Sequence, residues 1–328
     1  NMNLTRRMIA LGASLLPLAS AIGQSATQAS DYPRRPVKII VPYGPGSAAD
    51  VVARLLGGGL SQIWGQTVTV ENRPGASGVI GVQALLRSPN EGHDFFFGDI
   101  GSLGLNPLYF KKLPYSPSKD LVSVVDIFHA PLVVYVSKDS PYKTVGELIA
   151  AARKSPGKLT FATPGAGGPM WIGAEQLGVK AGTKLLHVPF REMGPLLTAV
   201  ATGEVDLMVT SAATARPVLD RLRALAVTDS GRLAELPATP TVQEAMNLDV
   251  QVVAWAMLVA ARGTPRRIVE KVRADALTAM KKPEFAGKTK LFGLNPSREM
   301  TVDQLDAFIV SESEKYAPAV KASGVSNE

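Results

Sequence analysis

Short runs of β-branched residues alternate with amphipathic helical stretches from residue 36 onward. The run Val37–Val41 has the composition of a strand, and residues 52–64 repeat apolar side chains at helical spacing. A helix with one apolar face packs against a sheet, so this alternation is typical of α/β folds. We therefore predict an α/β fold built from mostly parallel sheets flanked by helices.

The alternation continues along the rest of the chain. Further strands are predicted at residues 67–70, 95–97, 159–162, 184–188, 205–209, 224–227 and 250–260, and helices at 78–86, 172–181, 195–201, 213–222, 266–280 and 301–321. Thr144 with Glu147 and Thr301 with Gln304 match the capping box that begins a helix, since each pair satisfies two free backbone N–H groups.

The C-terminal tail is predicted to be helical, with Thr264 as an N-cap and Pro265 in the first helical position. A tail without strands must pack on an existing sheet, and the first sheet is the simplest choice. The chain then crosses between two lobes near residues 131 and 253, which makes a hinge. The predicted division is an export signal at 1–30, one lobe at 31–131 and 254–328, and a second lobe at 132–253.

The first thirty residues match an export signal. Arg6 and Arg7 form a basic flank, residues 8–21 form a short apolar stretch, and residues 19–21 (ASA) fit a cleavage site. The stretch is too short to span a bilayer. We expect a soluble, periplasmic mature protein, exported by the general secretory or the twin-arginine route.

Composition excludes several classes of function. The formal net charge is +7, but no basic stripe is interleaved with aromatic residues, so nucleic acid is not an expected partner. The chain has no Cys, and His93, His129 and His187 lack the spacing of metal ligands. Motifs for dinucleotide, phosphate or nucleophile chemistry are missing, and nothing pairs the carboxylates for acid and base work. We expect no metal, no cofactor and no catalysis.

Two glycine-rich turns, at residues 42–50 and 163–171, each leave a predicted strand and begin a helix. Glycine lets the backbone approach a ligand, and free N–H groups at a helix N-terminus favour an anion. Because one turn lies in each lobe at strand ends that face a common cleft, we predict an anion site between them. Asp50 is either a ligand contact or a partner of Arg54 in the first helical turn.

Several sequence blocks carry a family resemblance: KIIVPYGPGSAADVVARLL, VENRPGASG, KKLPYSPSKD, GKLTFATPGAGG and LPATPTVQEA follow one another over nearly the whole mature chain. With these blocks the chain resembles the substrate-binding proteins of tripartite tricarboxylate transporters, the Bug family. The resemblance implies a two-lobed periplasmic-binding-protein (Venus flytrap) fold. It also implies a small carboxylate ligand between the lobes and integral-membrane permease subunits as partners. We expect the protein to be a monomer.

The two turns and the resemblance together give a set of ligand-binding residues. The predicted set is Tyr43, Gly44, Pro45, Gly46, Ser47, Ala48, Asp50, Ser102, Thr163, Gly165, Ala166, Gly167, Gly168, Met170, Trp171, Arg191, Ser211 and Trp255. Arg191 stands where the family usually has Lys. Its guanidinium group either binds a carboxylate through two hydrogen bonds or faces solvent beside Glu192.

Departures from the family pattern bear on the ligand. Ser47 takes the place of a glycine, and Ala166, Pro169, Met170 and Trp171 replace the polar side chains that the second turn commonly carries. Apolar bulk favours an acid with an apolar or aromatic body, such as an aromatic dicarboxylate, because Trp and Met pack well on a ring. The alternatives are a small aliphatic dicarboxylate or amino acid as ligand, a sensor that signals to a membrane receptor, and a hydrolase.

Overall fold

A computed structural model gives the fold. The structure describes residues 32–89 and 91–326, and Pro33–Glu328 forms one compact unit. The predicted export signal at 1–30 lies outside the described residues. In the part of the chain that the structure describes, no helix has both the length and the apolar character needed to cross a bilayer.

Strands build two separate sheets. In chain order they are β1 (Val37–Val41), β2 (Val68–Asn72), β3 (Asp94–Asp99), β4 (Leu121–Pro131), β5 (Val133–Ser137), β6 (Thr160–Thr163), β7 (Leu186–Pro189), β8 (Leu207–Thr210), β9 (Leu222–Val227), β10 (Val253–Ala261) and β11 (Asn295–Pro296). The first sheet has the order β11-β4-β10-β3-β1-β2, and the second has the order β7-β6-β8-β5-β9.

Helices flank both sheets. They are α1 (Ala48–Trp64), α2 (Val79–Leu86), the π-helical α3 (Ile100–Leu105), α4 (Asn106–Tyr109), α5 (Pro117–Asp120), α6 (Val145–Lys154), α7 (Pro169–Lys180), α8 (Met193–Ala201), α9 (Ala212–Ala215), α10 (Val242–Met246), α11 (Arg266–Met280), α12 (Pro283–Leu291) and α13 (Val302–Ser323). The predicted capping boxes at Thr144 and Thr301 are both present, with Glu147 and Gln304 as their partners.

The sheets are mixed rather than mostly parallel. β1 pairs in parallel with β2 and β3, and β6 with β7 and β8. The strands that follow the two crossings run the other way: β5 is antiparallel to β8 and β9, and β10 is antiparallel to β3 and β4. A buried strand has the same apolar composition in either direction, so the sequence pattern could not show this.

Three local predictions were wrong. The helix predicted at 213–222 is broken after Ala215, because Pro217 follows and Val218 has a non-helical backbone (φ −130°, ψ 15°). Helix α11 spans Arg266–Met280 as predicted, but its N-cap is Pro265 rather than Thr264, so Arg266 and not Pro265 takes the first helical position. The tail also contains a strand, β11, which pairs with β4.

The polypeptide passes between the sheets twice, and Thr228 joins the two passages. Its backbone N–H donates to the carbonyl of Leu132 at 2.8 Å, and its Oγ1 donates to the carbonyl of Val252 at 2.7 Å. One continuous apolar core contains residues of both sheets. Helix α13 packs on β4 and also on α7, so the tail contacts both halves and not the first sheet alone.

Candidate functional site

A cavity of about 720 Å³ is lined by residues from both sheets and from the turns that leave them. From the first sheet and its connections these are Pro42, Tyr43, Ser47, Ala48, Ala49, Gly75, Ser77, Gly78, Phe97, Asp99, Ile100, Gly101, Phe128, Ala130, Ala254, Trp255, Ala256, Phe292 and Leu294. From the crossing and the second sheet they are Leu132, Pro164, Gly165, Ala166, Gly167, Gly168, Pro169, Met170, Trp171, Met193, Thr210, Ser211, Ala213 and Thr214.

The first predicted turn begins α1 at the cavity. Ser47 is the N-cap, and its Oγ accepts from the backbone N–H of Asp50 at 3.2 Å. The N–H groups of Ala48 and Ala49, which both line the cavity, have no protein acceptor in the described structure. Such N–H groups lack intrahelical partners by geometry, and the helix dipole makes them attractive to an anion.

Asp50 holds this turn in shape instead of lining the cavity. Its carboxylate accepts from the N–H of Gly46 at 2.9 Å, from Asn72 Nδ2 at 2.8 Å and from the Arg54 guanidinium at 2.9 Å. Burial alone would raise the pKa of Asp50, but these hydrogen bonds outweigh it and lower the pKa to about 2. The structural role therefore accounts for Asp50.

The second predicted turn begins α7 without a side-chain cap. Gly168 is the N-cap and Pro169 has no N–H to donate, so the N–H groups of Met170 and Trp171 are left without a protein acceptor in the described structure. Gly167 has φ +85°, a conformation that glycine adopts without strain. This helix start is the counterpart of the first, follows a strand of the second sheet and lines the same cavity.

Thr163, at the end of β6, connects the second turn to the sheet by hydrogen bonds of its hydroxyl. Its hydroxyl accepts from the N–H of Gly165 at 3.1 Å and lies 2.7 Å from Nε2 of His187. Burial lowers the pKa of His187 below 6.5, so this ring is neutral at pH 7. Thr163 does not line the cavity, and His187 brings no positive charge to it.

Asp99 is the single charged side chain among the residues that line the cavity. Its Oδ1 caps α3 by accepting from the N–H of Ser102 at 2.8 Å and from Ser102 Oγ at 2.7 Å. Its Oδ2 accepts from the hydroxyl of Tyr43. Burial of that hydroxyl, with Asp99 beside it, raises the pKa of Tyr43 well above 10, so the phenol keeps its proton and donates.

Apolar side chains form much of the remaining lining. Phe97, Ile100 and Trp255 are each 1% exposed. Trp171 is fully buried and packs against Tyr109, with ring centroids 6.4 Å apart, so its ring belongs to the core more than to an open stacking surface. The expectation that Trp171 presents its ring to a ligand is therefore not supported, and its part in the lining is the start of α7.

The structure brings eleven of the eighteen predicted site residues to the cavity. They are Tyr43, Ser47, Ala48, Gly165, Ala166, Gly167, Gly168, Met170, Trp171, Ser211 and Trp255. The other seven are Gly44, Pro45, Gly46, Asp50, Ser102, Thr163 and Arg191. Of these, Ser102 is fully buried as part of the α3 cap, and Arg191 is exposed on the surface.

A third turn at the cavity escaped the sequence analysis. It contains Gly75, Ser77 and Gly78, and Ser77 has φ +50°. Asn106 Nδ2 donates to the carbonyl of Ser77 at 2.9 Å and holds the turn against α3 and α4. The two glycines of the block VENRPGASG were the available signal, but they were used only for the family resemblance.

The chemistry of this lining suits an anion held without a cation. No Lys, Arg or His is among the lining residues of the described chain. No group of three or more acidic or His side chains within residues 32–89 and 91–326 is placed to hold a metal. Backbone N–H groups and hydroxyls are therefore the available donors.

Comparisons with known proteins identify the family. Residues 52–325 match the model described as "Tripartite tricarboxylate transporter family receptor". A protein of Pseudomonas sp. (strain P51), described as "UPF0065 protein in tcbD-tcbE intergenic region", is 33% identical over 317 residues, covering 96% of this chain and 93% of its own length.

Solved structures agree with the sequence comparison. Rpa4515 of R. palustris, solved with adipate, has a TM-score of 0.78 and 27% identity, with 90% of this chain and 99% of that chain covered. MatC of Rhodopseudomonas palustris, solved with bound malate, has a TM-score of 0.76 and 28% identity, with 88% and 100% covered. The family resemblance is thus confirmed, and the chain belongs to the tripartite tricarboxylate transporter receptors, the Bug family, whose members are periplasmic solute-binding proteins and not enzymes.

Proposed function

We propose that this protein captures a small organic carboxylate with an apolar or aromatic body and delivers it to the membrane permease subunits of a tripartite tricarboxylate-type transporter. One observation carries the proposal: two helix starts, from different sheets, each contribute backbone N–H groups without acceptors to one cavity that has no cationic side chain. An anion satisfies those donors, whereas a neutral apolar guest leaves them unpaired.

The relatives support a carboxylate of modest size. Two similar proteins were solved with adipate and with malate, which are both small aliphatic acids. In this chain three aromatic residues, Phe97, Phe128 and Phe292, line the cavity. A cavity of about 720 Å³ has room for a ring as well as for a carboxylate. These features favour an apolar or aromatic acid over the short polar acids.

We further propose that residues 31–131 with 254–328 and residues 132–253 act as two lobes that close on the ligand. The two passages of the chain joined by Thr228 lie where such a hinge is needed. Ligand binding then favours the closed population to the extent that the ligand contacts both lobes.

A proline substitution tests the main-chain mechanism directly. Ala48 occupies the first helical position of α1, where proline is well tolerated, and Ser47 before it is extended (φ −64°, ψ 158°), as a residue preceding proline must be. Ala48→Pro therefore removes one N–H donor and leaves the helix intact. A hydrogen bond to a charged group contributes about 1.5–3 kcal/mol, so affinity for the bound acid should fall roughly tenfold or more.

The matched control is Arg266→Pro, at the exposed first position of α11, away from the cavity lining. The acid is found by thermal-shift screening of benzoate, terephthalate, phenylalanine, adipate, malate, succinate and glutamate, and its affinity is measured by calorimetry. Equal affinities for wild type, Ala48→Pro and Arg266→Pro would contradict capture by the α1 start. Absence of binding by every acid would refute the proposed function.

A further inference from the structure

Asp99 places a negative charge in the cavity lining with no cation to balance it. The side chain is 9% exposed, and all its hydrogen-bond donors are neutral: the N–H and Oγ of Ser102, and the hydroxyl of Tyr43. No ion pair to Asp99 is present in the described structure, and no Lys, Arg or His shares the lining with it. Tyr43 keeps its proton, so it supplies a dipole but no charge.

Capping explains the position of Asp99 but not its charge. Asp99 is the N-cap of α3, and its Oδ1 accepts from the N–H of Ser102. Asn and Ser cap helices about as well as Asp does. A neutral cap would thus satisfy α3 without leaving a nearly buried charge beside a binding cavity, and buried charges are normally paired.

Asp99 lies next to both glycine-rich turns. Tyr43, which donates to it, belongs to the first turn. On the other side, an added Cβ at Gly101 would be 3.5 Å from Asp99 Oδ1 and 2.9 Å from the carbonyl oxygen of Gly167 in the second turn. A ligand whose carboxylate is held by the helix starts at these turns therefore has the Asp99 charge close to that carboxylate.

The sign of this charge discriminates among acids. Because Asp99 is only 9% exposed, its carboxylate repels a second carboxylate and attracts a cation more strongly than a fully solvated carboxylate does. A dicarboxylate would place another negative group near Asp99, and a plain monocarboxylate would leave the charge unpaired. An acid that carries its own ammonium group beside the carboxylate meets both requirements.

We infer that the preferred ligand is a zwitterion with an apolar or aromatic body, an amino acid of that class, whose carboxylate is held by the starts of α1 and α7 and whose ammonium group contacts Asp99. This inference rests on the proposed carboxylate-binding function and narrows it to one class of acid. The apolar body then lies against the lining that contains Phe97, Phe128 and Trp255.

Matched ligands and one substitution test the inference. Calorimetry compares L-phenylalanine with 3-phenylpropionate, which lacks the amine, and with benzylsuccinate, which has a second carboxylate instead. An aliphatic set of L-leucine, 4-methylpentanoate and isobutylsuccinate is measured in parallel. In wild type, the amino acid of at least one set should bind roughly tenfold or more tightly than its two analogues.

Asp99→Asn keeps an acceptor for the N–H of Ser102 and removes the charge, and it also replaces the Oδ2 that accepts from the Tyr43 hydroxyl with an amide N–H. It should bring the amino acid and its des-amino analogue to within about threefold of each other. Tyr43→Phe is the control, because it removes a donor to Asp99 but leaves the charge, and it should keep the amine preference.

The outcomes separate the two proposals. If acids bind but the amine gives no advantage in wild type, or if the advantage survives Asp99→Asn in a folded variant, the zwitterion inference is wrong and carboxylate capture stands. If no acid binds, including adipate, malate and succinate, both proposals fail together.

Discussion

The indole Nε1 of Trp255 donates to Oε2 of Glu312 at 2.8 Å, so a carboxylate on the C-terminal helix fixes a ring that lines the cavity. Glu312 is 4% exposed and also accepts from the hydroxyl of Tyr316 at 3.0 Å and from the ammonium group of Lys315. The Trp255 ring packs edge-on against Phe308, with centroids 5.2 Å apart. Helix α13 therefore holds the Trp255 ring in its place in the cavity lining.

Removing the Glu312 carboxylate should loosen this support. Glu312→Ala leaves Trp255 Nε1 and the Tyr316 hydroxyl without their shared acceptor, and should lower the free energy of unfolding by about 3 kcal/mol, measured by urea titration. Tyr316→Phe is the matched control, because it removes one donor and keeps the bond between Trp255 and Glu312; its loss should be about 1 kcal/mol. Equal losses for the two variants would show that the carboxylate has no special part.

A methyl group at Gly101 should hinder contact between the halves of the molecule. An added Cβ there lies 2.9 Å from the carbonyl oxygen of Gly167, a main-chain atom that cannot rotate away. Gly101→Ala should lower the affinity for the bound acid about tenfold or more, and small-angle scattering should show less compaction on adding ligand.

Gly104, in the same helix, provides the comparison for Gly101. An added Cβ at Gly104 lies 3.5 Å from the Trp255 ring, which is an ordinary contact distance. Gly104→Ala should therefore bind the acid within about twofold of wild type. Unchanged affinity and compaction in both variants would rule out an approach of Gly101 to Gly167 on binding.

Asp50 should make stability fall in acid. Its pKa is about 2 in the folded protein, below the ordinary value of 3.8, so its stabilising contribution is complete above about pH 4 and is lost as pH falls toward 2. Asp50→Asn should reduce the free energy of unfolding by about 2 kcal/mol at pH 7 and by much less near pH 2.5, in urea titrations at each pH. The exposed Asp249→Asn should show no such convergence with wild type.

The contribution of Glu175 to the free energy of unfolding should depend on pH in the opposite direction. Burial raises the pKa of its carboxyl to about 7, although the charge of Lys184 acts against this. The unfolded chain ionises near 4.5, so ionisation begins to favour unfolding as pH rises from about 4.5 and levels off above about 7.

Glu175→Gln should accordingly be more stable than wild type at pH 8 and close to it at pH 4. Glu204→Gln, at an exposed position, serves as control and should not change the difference between the two pH values. A stabilisation by Glu175→Gln that is equal at pH 4 and pH 8 would mean that packing, and not ionisation, is responsible.

Local signals in the sequence were enough for many elements. The capping boxes at Thr144 and Thr301 were predictable because the two residues of each box are only three positions apart in the sequence. Helix α11 was bounded at both ends as the structure has it, Arg266–Met280, because its apolar spacing is regular throughout. Strand direction failed as a prediction, because it depends on the route of the chain between the sheets.

The residues of the candidate site also fall into two groups: those that local sequence predicts and those that only the tertiary fold brings together. The glycine-rich turns were visible because unusual backbone conformations require particular residues, as at Gly167. Phe97, Phe128 and Phe292 were not named as lining residues, because each has the pattern of an ordinary core residue and only the tertiary fold brings them to one cavity. Arg191 was named for its chemistry, but the turn before α8 leaves it exposed.

The position of β10 also sets the order in which the molecule can be assembled. Strands β5 to β9 of the second sheet come from one stretch of chain, Val133 to Val227, whereas β3 and β4 are bridged only by β10, at Val253–Ala261. During synthesis the second sheet has all its strands before the first sheet receives its central one. Pairings between distant segments of a chain form slowly. The first sheet, with the α1 turn and Asp99, is therefore expected to be the last part of the protein to reach its native state.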